Sequence, residues 1–254
     1  MQVNSGRVLN DATTDPNYGL ALDHALLLQN PHSEYLATIR FWSNPPSVII
    51  GRGQTLSNEV NQTFCRENQI PISRRITGGG TVYHDPGNLN ISLIFPKKIM
   101  ENPDNITETT TLFTNLLKTS LEASGIEEMT TDKYNNLFYK NRKVSGAAAY
   151  FNRDTILHHS TLLLATDLTK LEGSLIRHRE LRRGCSRYSP TTNLTGLQPK
   201  TWKKTYVKTL EEKFRTPFRP GVLTLEEEAL ARELKETMYR KSSWIIDGER
   251  PKEP

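Results

Sequence analysis

A chain of 254 residues, 35% of them hydrophobic, is long enough to bury one substantial core, so it is neither a disordered polypeptide nor a small disulfide-stapled module. Its net charge of +5 comes from 33 basic against 28 acidic residues that are interspersed, which favours anionic partners without the basic tail of a charge-driven binder. The two cysteines, Cys65 and Cys185, lie far apart with no CxxC spacing; this excludes a disulfide framework and a thiolate zinc centre and fits a reducing compartment.

The opening MQVNSGRVLNDATTDPNYG has neither an apolar signal core nor an arginine-rich presequence, and no apolar run approaches membrane-spanning length, so a soluble, cytoplasmic protein is expected. Apolar spacing predicts a first helix over 17–29 (NYGLALDHALLLQ), followed by strands over 38–42 (TIRFW), 47–53 (SVIIGRG), 81–84 (TVYH) and 88–95. In the last of these Leu89, Ile91, Leu93 and Phe95 alternate. A helix is predicted over 106–125, with Leu112, Leu116, Leu117 and Leu121 on one face and Gly125 as its stop. Strands over 143–151 and 155–164 are bounded by turns at Tyr139–Arg142 and Phe151–Asp154, which implies an antiparallel meander from Asn136 to Leu164. Trp202, Tyr206, Leu210 and Phe214, four apart, predict a helix over 201–214, and a last helix starts at Thr224 with Glu227 completing a capping box. With no repeats or low-complexity linkers, the pattern implies one α+β domain: a largely antiparallel mixed sheet flanked by helices.

The chemistry concentrates in Arg74-Arg75-Ile76-Thr77-Gly78-Gly79-Gly80-Thr81-Val82-Tyr83-His84-Asp85. Neither this run nor GRGQT at Gly51–Thr55 supplies G-x-x-x-x-G-K-[ST] or G-x-G-x-x-G, so the P-loop and Rossmann readings fail. Successive glycines can nevertheless turn consecutive N–H groups toward one point and let an elongated ligand lie against the backbone, with Arg75 as a charged fork. A tight strand connection is the other reading of the same glycines. Lys143 taken alone reads as a solvated strand lysine. His158 and His159 are adjacent on a strand, point to opposite faces and cannot readily chelate one metal, so zinc is not expected. Arg177, Arg179, Arg182, Arg183 and Arg187 form either a solvated basic face, a dock for an acidic domain, or a lid over phosphates.

RRITGGGTVYHDPGNLNIS resembles the signature of the lipoate-protein ligase family, and SVIIGRGQTLSNEVN is similar to that family's V-I-G-R-x-Q-N segment. NYGLALDHALL with TIRFW resembles its opening helix and strand, and NNLFYKNRKVSGAAAYFNRDTILHHSTLLLATDLTKL resembles its N-D-L, K-x-S-G and H-H-G-T-L-L-x-x-x-D-L blocks. The matches run in order over most of residues 18–175, and LARELKETMYRKSSWIIDGERP weakly resembles the segment closing the catalytic domain. The resemblance implies a biotin/lipoate-ligase-like catalytic domain over 1–223, with 224–254 as a C-terminal helix and tail packed on it. It implies an ATP-dependent, AMP-forming ligase that activates lipoate to lipoyl-adenylate with Mg²⁺ and transfers the lipoyl group to a lysine of a glycine-cleavage H protein or a 2-oxoacid dehydrogenase E2 subunit. Lys143 would be catalytic; Arg75, Thr77, Gly78, Gly79, Gly80, Val82, His84, Asn136, Gly146, Ala147, His159 and Thr161 would bind the lipoyl-adenylate.

Departures from the family pattern matter as well. Asn136 stands where an aspartate near the nucleotide is usual, which weakens the implied Mg²⁺ contact, and Thr81 and Ser160 replace commoner alanine and glycine. Many members carry a large accessory domain beyond the catalytic one; for this chain the resemblance implies a separate accessory polypeptide or a preactivated substrate. Biotin ligases share the fold, but their GRGRxGR signature is not found here. GCSRYSPTTNL resembles a stretch of octanoyl and lipoyl transferases, which implies an alternative: transfer through a Cys185 thioester, assisted by Lys143, without ATP. A non-catalytic module binding RNA or a carrier is the third reading. Neither an RRM-like aromatic signature nor helix-turn-helix spacing supports it, so no nucleic-acid or membrane partner is expected.

Overall fold

A computed structural model describes residues 5–178 and 185–249. Among them the elements run β1 (Gly6–Ala12), α1 (Pro16–Gln29), β2 (Thr38–Ser43), β3 (Ser47–Ile50), α2 (Leu56–Glu59), α3 (Gln62–Glu67), β4 (Ile72–Arg74), β5 (Val82–His84), β6 (Asn88–Pro96), α4 (Ile106–Glu122), β7 (Met129–Thr131), β8 (Leu137–Tyr139), β9 (Arg142–Ser145), β10 (Ala147–Phe151), β11 (Thr155–Leu163), α5 (Leu168–Ser174), α6 (Pro199–Phe214), β12 (Phe218–Pro220) and α7 (Leu225–Leu234). The main sheet has the order β10-β11-β6-β2-β1-β12; small sheets β4-β3-β5 and β7-β8-β9 flank it. β10, β11, β6 and β2 pair antiparallel in turn, whereas β1 runs parallel to both β2 and β12. The α+β class and the mixed, largely antiparallel sheet thus hold. No helix among the described residues is long and apolar enough to cross a membrane.

Three sequence expectations shift, each for a local reason. The expected strand over 143–151 breaks at Gly146, because Lys143 pairs through its N–H with the Pro190 carbonyl (2.8 Å) and through its carbonyl with the Thr192 N–H (3.1 Å), drawing β9 out of the main sheet. The strand expected over 47–53 stops at Ile50: a Cβ on Gly51 would stand 2.1 Å from the Gly79 carbonyl oxygen, so the chain turns where two loops touch. On α4 the buried stripe is Phe113, Leu117 and Leu121 with Thr110 and Thr114, while Leu112 and Leu116 pack half-buried at its flank. Spacing alone could not choose between these neighbouring stripes.

α4 and α6 cover one face of the main sheet, where Phe41, Ile91, Leu93 and Phe95 meet Phe113, Leu117, Trp202, Tyr206 and Leu210. α1 and α7 cover the other, with Leu22, Leu26, Trp42, Ile94, Leu157, Ala231 and Trp244 in one cluster. Asp15 caps α1 by accepting from the Asn17 and Tyr18 N–H groups, and Thr224 with Glu227 forms the expected capping box of α7. Glu227 also pairs two-pronged with the buried Arg7 of β1, fastening α7 to the sheet.

His158 is 1% exposed and tilted against Phe113 with ring centroids 5.3 Å apart. Burial above all, and then the neighbouring His159, push its pKa down to about 3. Because the unfolded imidazole titrates near 6.5, between these values the unfolded chain binds the extra proton; stability is complete above about pH 6.5 and is lost as pH falls toward 3. Within that window His158 contributes a slope of up to about 1.4 kcal/mol per pH unit. Denaturant unfolding of His158→Leu should therefore show a smaller loss of stability between about pH 6.5 and 5 than the parent, and an equal loss would contradict this account.

Candidate active site

A cleft of about 1130 Å³ lies where the β4–β5 loop, β5, β9, β10 and β11 converge. Its walls include Arg75, Gly78, Gly79, Gly80, Val82, His84, Asn136, Lys143, Gly146, Ala147, His159, Thr161 and Cys185, so nearly all the residues singled out from sequence come together. Thr77 is the exception. It is fully buried behind the wall, accepts from Arg75 Nε at 2.9 Å, and has His159 Nε2 2.8 Å from its Oγ1.

Arg75 is bonded differently from a free charged fork. Arg75 donates to Thr77 Oγ1, to the Ile49 carbonyl at 3.1 Å, and to the Gly78 and Gly80 carbonyls at 2.7 Å each, so most of its donors are spent inside the loop. Burial lowers its pKa to about 10, still leaving it a cation. Its bond to the Gly78 carbonyl orients the peptide unit that carries the Gly79 N–H, and among the described residues the N–H groups of Gly78, Gly79 and Gly80 meet no acceptor in the chain. Gly79 has φ of +86°, which a side chain would strain, and a Cβ on Gly78 would meet nothing within 4 Å. Open N–H groups on a loop that lines the cleft are what an anion-binding concavity of the kind expected from the glycine run would require.

Lys143 enters from β9, half-buried. Its ammonium lies across Gly146, where a Cβ would come within 3.2 Å of Nζ, so the K-x-S-G spacing makes room for this side chain. Burial lowers the lysine pKa to about 8, opposed by Asp132 and assisted by Arg75. Thr161 fixes Gly146 by donating its N–H to the Gly146 carbonyl at 3.0 Å while Oγ1 accepts from the Gly146 N–H at 3.3 Å. Gly146→Ala should therefore displace the ammonium by tenths of an ångström, lowering kcat by roughly tenfold with little change in Tm; an unchanged kcat would show that the ammonium's position does not matter.

Asn136 is tied to a residue that sequence reasoning missed. Its Nδ2 donates to Asp132 Oδ2 at 2.9 Å, and its N–H to Asp132 Oδ1 at 2.9 Å. A carboxylate from four residues earlier thus lies beside Asn136, a proximity that only the turn creates. His159 lies on the cleft side of β11 and His158 on the other face, as alternation requires. Burial lowers the pKa of His159 despite Asp23, whose carboxylate lies 3.9 Å from Nδ1. For Asp23, burial is outweighed by Arg40 and by His159, and its pKa is lowered.

A further group joins the glycine loop to the segment after residue 184. Ser186 Oγ donates to the buried Glu59 carboxylate and accepts from the Thr81 N–H at 2.7 Å and from Gln54 Nε2 at 2.9 Å. Cys185, half-buried, has its Sγ within 4.8 Å of ligand atoms of both Glu59 and His178. Both Glu59 oxygens already accept from Ser186, so little of that set is left for a metal ion. Of the arginine cluster, Arg177 pairs with Glu172 at 2.5 Å and Arg187 reaches the cleft wall; Arg179, Arg182 and Arg183 lie outside the described residues.

The family profile described as Lipoyl protein ligase A/B catalytic domain matches residues 15–215. A chain of Aeropyrum pernix carrying a lipoate-protein ligase A name is 32% identical over 249 residues, covering 93% of this chain and 91% of its own. A human mitochondrial lipoyl amidotransferase is 34% identical over 180 residues, 68% of this chain but 44% of its own; this chain spans about half the length of several such relatives. Among solved structures, a Thermoplasma acidophilum chain with bound lipoic acid superposes with a TM-score of 0.81 at 27% identity, covering 95% and 99% of the two chains. A lipoate-protein ligase A bound with ATP gives 0.82 at 26%, covering 96% and 100%. A bi-partite lipoate protein ligase with its E2 lipoyl domain, from the same Thermoplasma species, gives 0.83 at 26%, covering 98% and 99%.

Proposed function

The chain belongs to the lipoyl protein ligase A/B catalytic-domain family and is a lipoyl-attaching enzyme, and from that premise we propose that it activates lipoate with ATP to lipoyl-adenylate and then acylates an acceptor lysine. The observation that carries this reading is the meeting, in one cleft, of the half-buried Lys143 ammonium with Gly78, Gly79 and Gly80, whose N–H groups meet no acceptor among the described residues. The bound lipoic acid and ATP of the two Thermoplasma and ligase A neighbours support both substrates.

In the first half-reaction a lipoate carboxylate oxygen attacks the α-phosphate and pyrophosphate leaves; in the second the acceptor amine attacks the acyl carbonyl and AMP leaves. Negative charge grows on the phosphate in the first and on the acyl oxygen in the second. A fixed ammonium at Lys143 offsets both, and the glycine N–H groups add dipoles that need no reorganisation. No covalent enzyme intermediate is required. Asn136 Oδ1, on the cleft wall, is an oxygen donor of the kind Mg²⁺ accepts and would hold it. Mg²⁺, when bound, would neutralise phosphate charge. The acceptor is a lipoyl domain, an E2 subunit or an H protein, and the bi-partite Thermoplasma ligase supports a separate accessory polypeptide as a further partner. A C-terminal helix packed on the catalytic domain is supported by the fastening of α7 to β1 through Arg7 and Glu227.

The test is the intact mass of a purified E2 lipoyl domain or H protein after incubation with the protein, lipoate, Mg²⁺ and ATP. A lipoyl adduct that requires ATP is the expected result. Modification from preformed lipoyl-adenylate alone would assign adenylation to the accessory polypeptide. Modification only from an acyl carrier, without ATP, would overturn the ligase reading in favour of a transferase. That second reading has one observation in its favour, the Cys185 thiol on the cleft wall near His178 and Glu59. Cys185→Ser should leave a ligase active and abolish a thioester transferase.

A further inference from the structure

Lys143 and the glycine loop stand on different sheets. The lysine belongs to β9 of the sheet β7-β8-β9, whereas the loop connects β4 to β5 of the sheet β4-β3-β5. Among the described residues no hydrogen bond runs directly between β9 and residues 78–81. What spans them is the segment 186–192. At one end Ser186 donates its N–H to Glu59 at 2.8 Å and its hydroxyl to the same carboxylate, while that hydroxyl accepts from the Thr81 N–H and from Gln54. At the other end the Lys143 N–H donates to the Pro190 carbonyl at 2.8 Å and the Thr192 N–H donates to the Lys143 carbonyl at 3.1 Å.

The anchor beneath Ser186 is itself fixed: Glu59 is 1% exposed, and its carbonyl accepts from the Ile176 N–H at 2.9 Å. Packing from below leaves the height of the segment open, because a cavity of about 100 Å³ lies against it, with Thr81, Lys143, Thr161, Ser186 and Thr191 among its lining residues. The bonds at the two ends are directional and set that height instead. The Ser186 hydroxyl has no spare capacity, since its single donor and both acceptor positions are used. It also touches the loop closely, standing 2.9 Å from where a Cβ on Gly80 would lie.

We propose that Ser186, held by Glu59, is a positioning residue that fixes the separation between the Lys143 ammonium and the glycine N–H groups, acting on the reaction through Lys143 alone. The proposal rests on the ligase reading above, in which these two sources of positive charge converge on one reacting group. Misplacement by about 1 Å of a group that must meet a transition state costs up to about a hundredfold in rate, so a strut between the two parts has a kinetic signature of its own.

The experiment measures single-turnover transfer from preformed lipoyl-adenylate to an E2 lipoyl domain, calorimetric binding of lipoate, and residue-resolved hydrogen–deuterium exchange of the free protein. Ser186→Ala should lower the transfer rate by about tenfold with lipoate affinity within about twofold of the parent, and Ser186→Thr, which keeps the hydroxyl, should retain most of the rate. In a Lys143→Ala background the same serine change should cost less than about twofold, because the group it positions is gone. Exchange should quicken together at the Thr81 and Lys143 amides in Ser186→Ala. A full tenfold loss in the Lys143→Ala background, equal losses of rate and affinity, or faster exchange at Thr81 alone would overturn the proposal. If Ser186→Ala does not fold, Glu59→Gln, which loses the acceptor for the Ser186 hydroxyl, is read by the same criteria. A parent that makes no transfer from lipoyl-adenylate would remove the ligase reading, and the paired exchange at Thr81 and Lys143 would still decide whether the strut exists.

Discussion

Lys143→Ala should lower acyl transfer from preformed lipoyl-adenylate by at least about a hundredfold while leaving Tm unchanged or slightly raised. The size follows from what is removed: a cation held in a partly desolvated cleft, where charge stabilisation is worth more than in water. That the fold should tolerate the change follows from the same burial. The ammonium has been taken from water far enough to lower its pKa to about 8, and its removal relieves that cost. Single-turnover kinetics with the preformed adenylate isolate the second half-reaction, and near-parental turnover would strip Lys143 of its catalytic role.

Arg74→Ala should be the most damaging change to the architecture behind the site, costing at least about 3 kcal/mol and lowering Tm by several degrees. Arg74 is 1% exposed, and its guanidinium donates to the carbonyls of Gly51, Arg52 and Gln54 on one side and of Ile245 and Ile246 on the other. The Trp244 indole N–H closes the circuit by donating to the Arg74 carbonyl at 2.9 Å. One side chain thus ties the β3 turn to the C-terminal segment, just ahead of the glycine loop in the chain. The variant would leave these carbonyls without their charged donor, so adenylate affinity should fall along with stability. Chemical denaturation and calorimetry measure the two losses, and parental stability would contradict the role assigned here.

The resemblance carried by RRITGGGTVYHD, K-x-S-G and H-H-S-T-L-L extends over the larger part of the family match to residues 15–215, and the elements with strong period-two or period-four patterns appear where they are expected. Trp202, Tyr206 and Leu210 all bury their side chains on α6. β1 was not foreseen, because GRVLNDA mixes glycine, arginine, asparagine and aspartate. It forms because both its neighbours pair with it and because Asp11 is met by the buried Arg40 at 2.8 Å. β12 is three residues long and contains a proline, too short for any periodic signal.

By itself the sequence determined the fold class and the family, since both are written in residue types at fixed local spacing. Only the tertiary structure decided what the candidate site residues face. It showed that Arg75 spends its donors on the glycine carbonyls, that Thr77 stands behind the wall, that the Asp132 carboxylate lies beside Asn136, and that Ser186 and Glu59 brace the loop from more than a hundred residues apart in the chain. The physical reason is that a hydrogen bond is fixed by direction and by competition among neighbours brought together through folding, and neither quantity is present in a linear pattern.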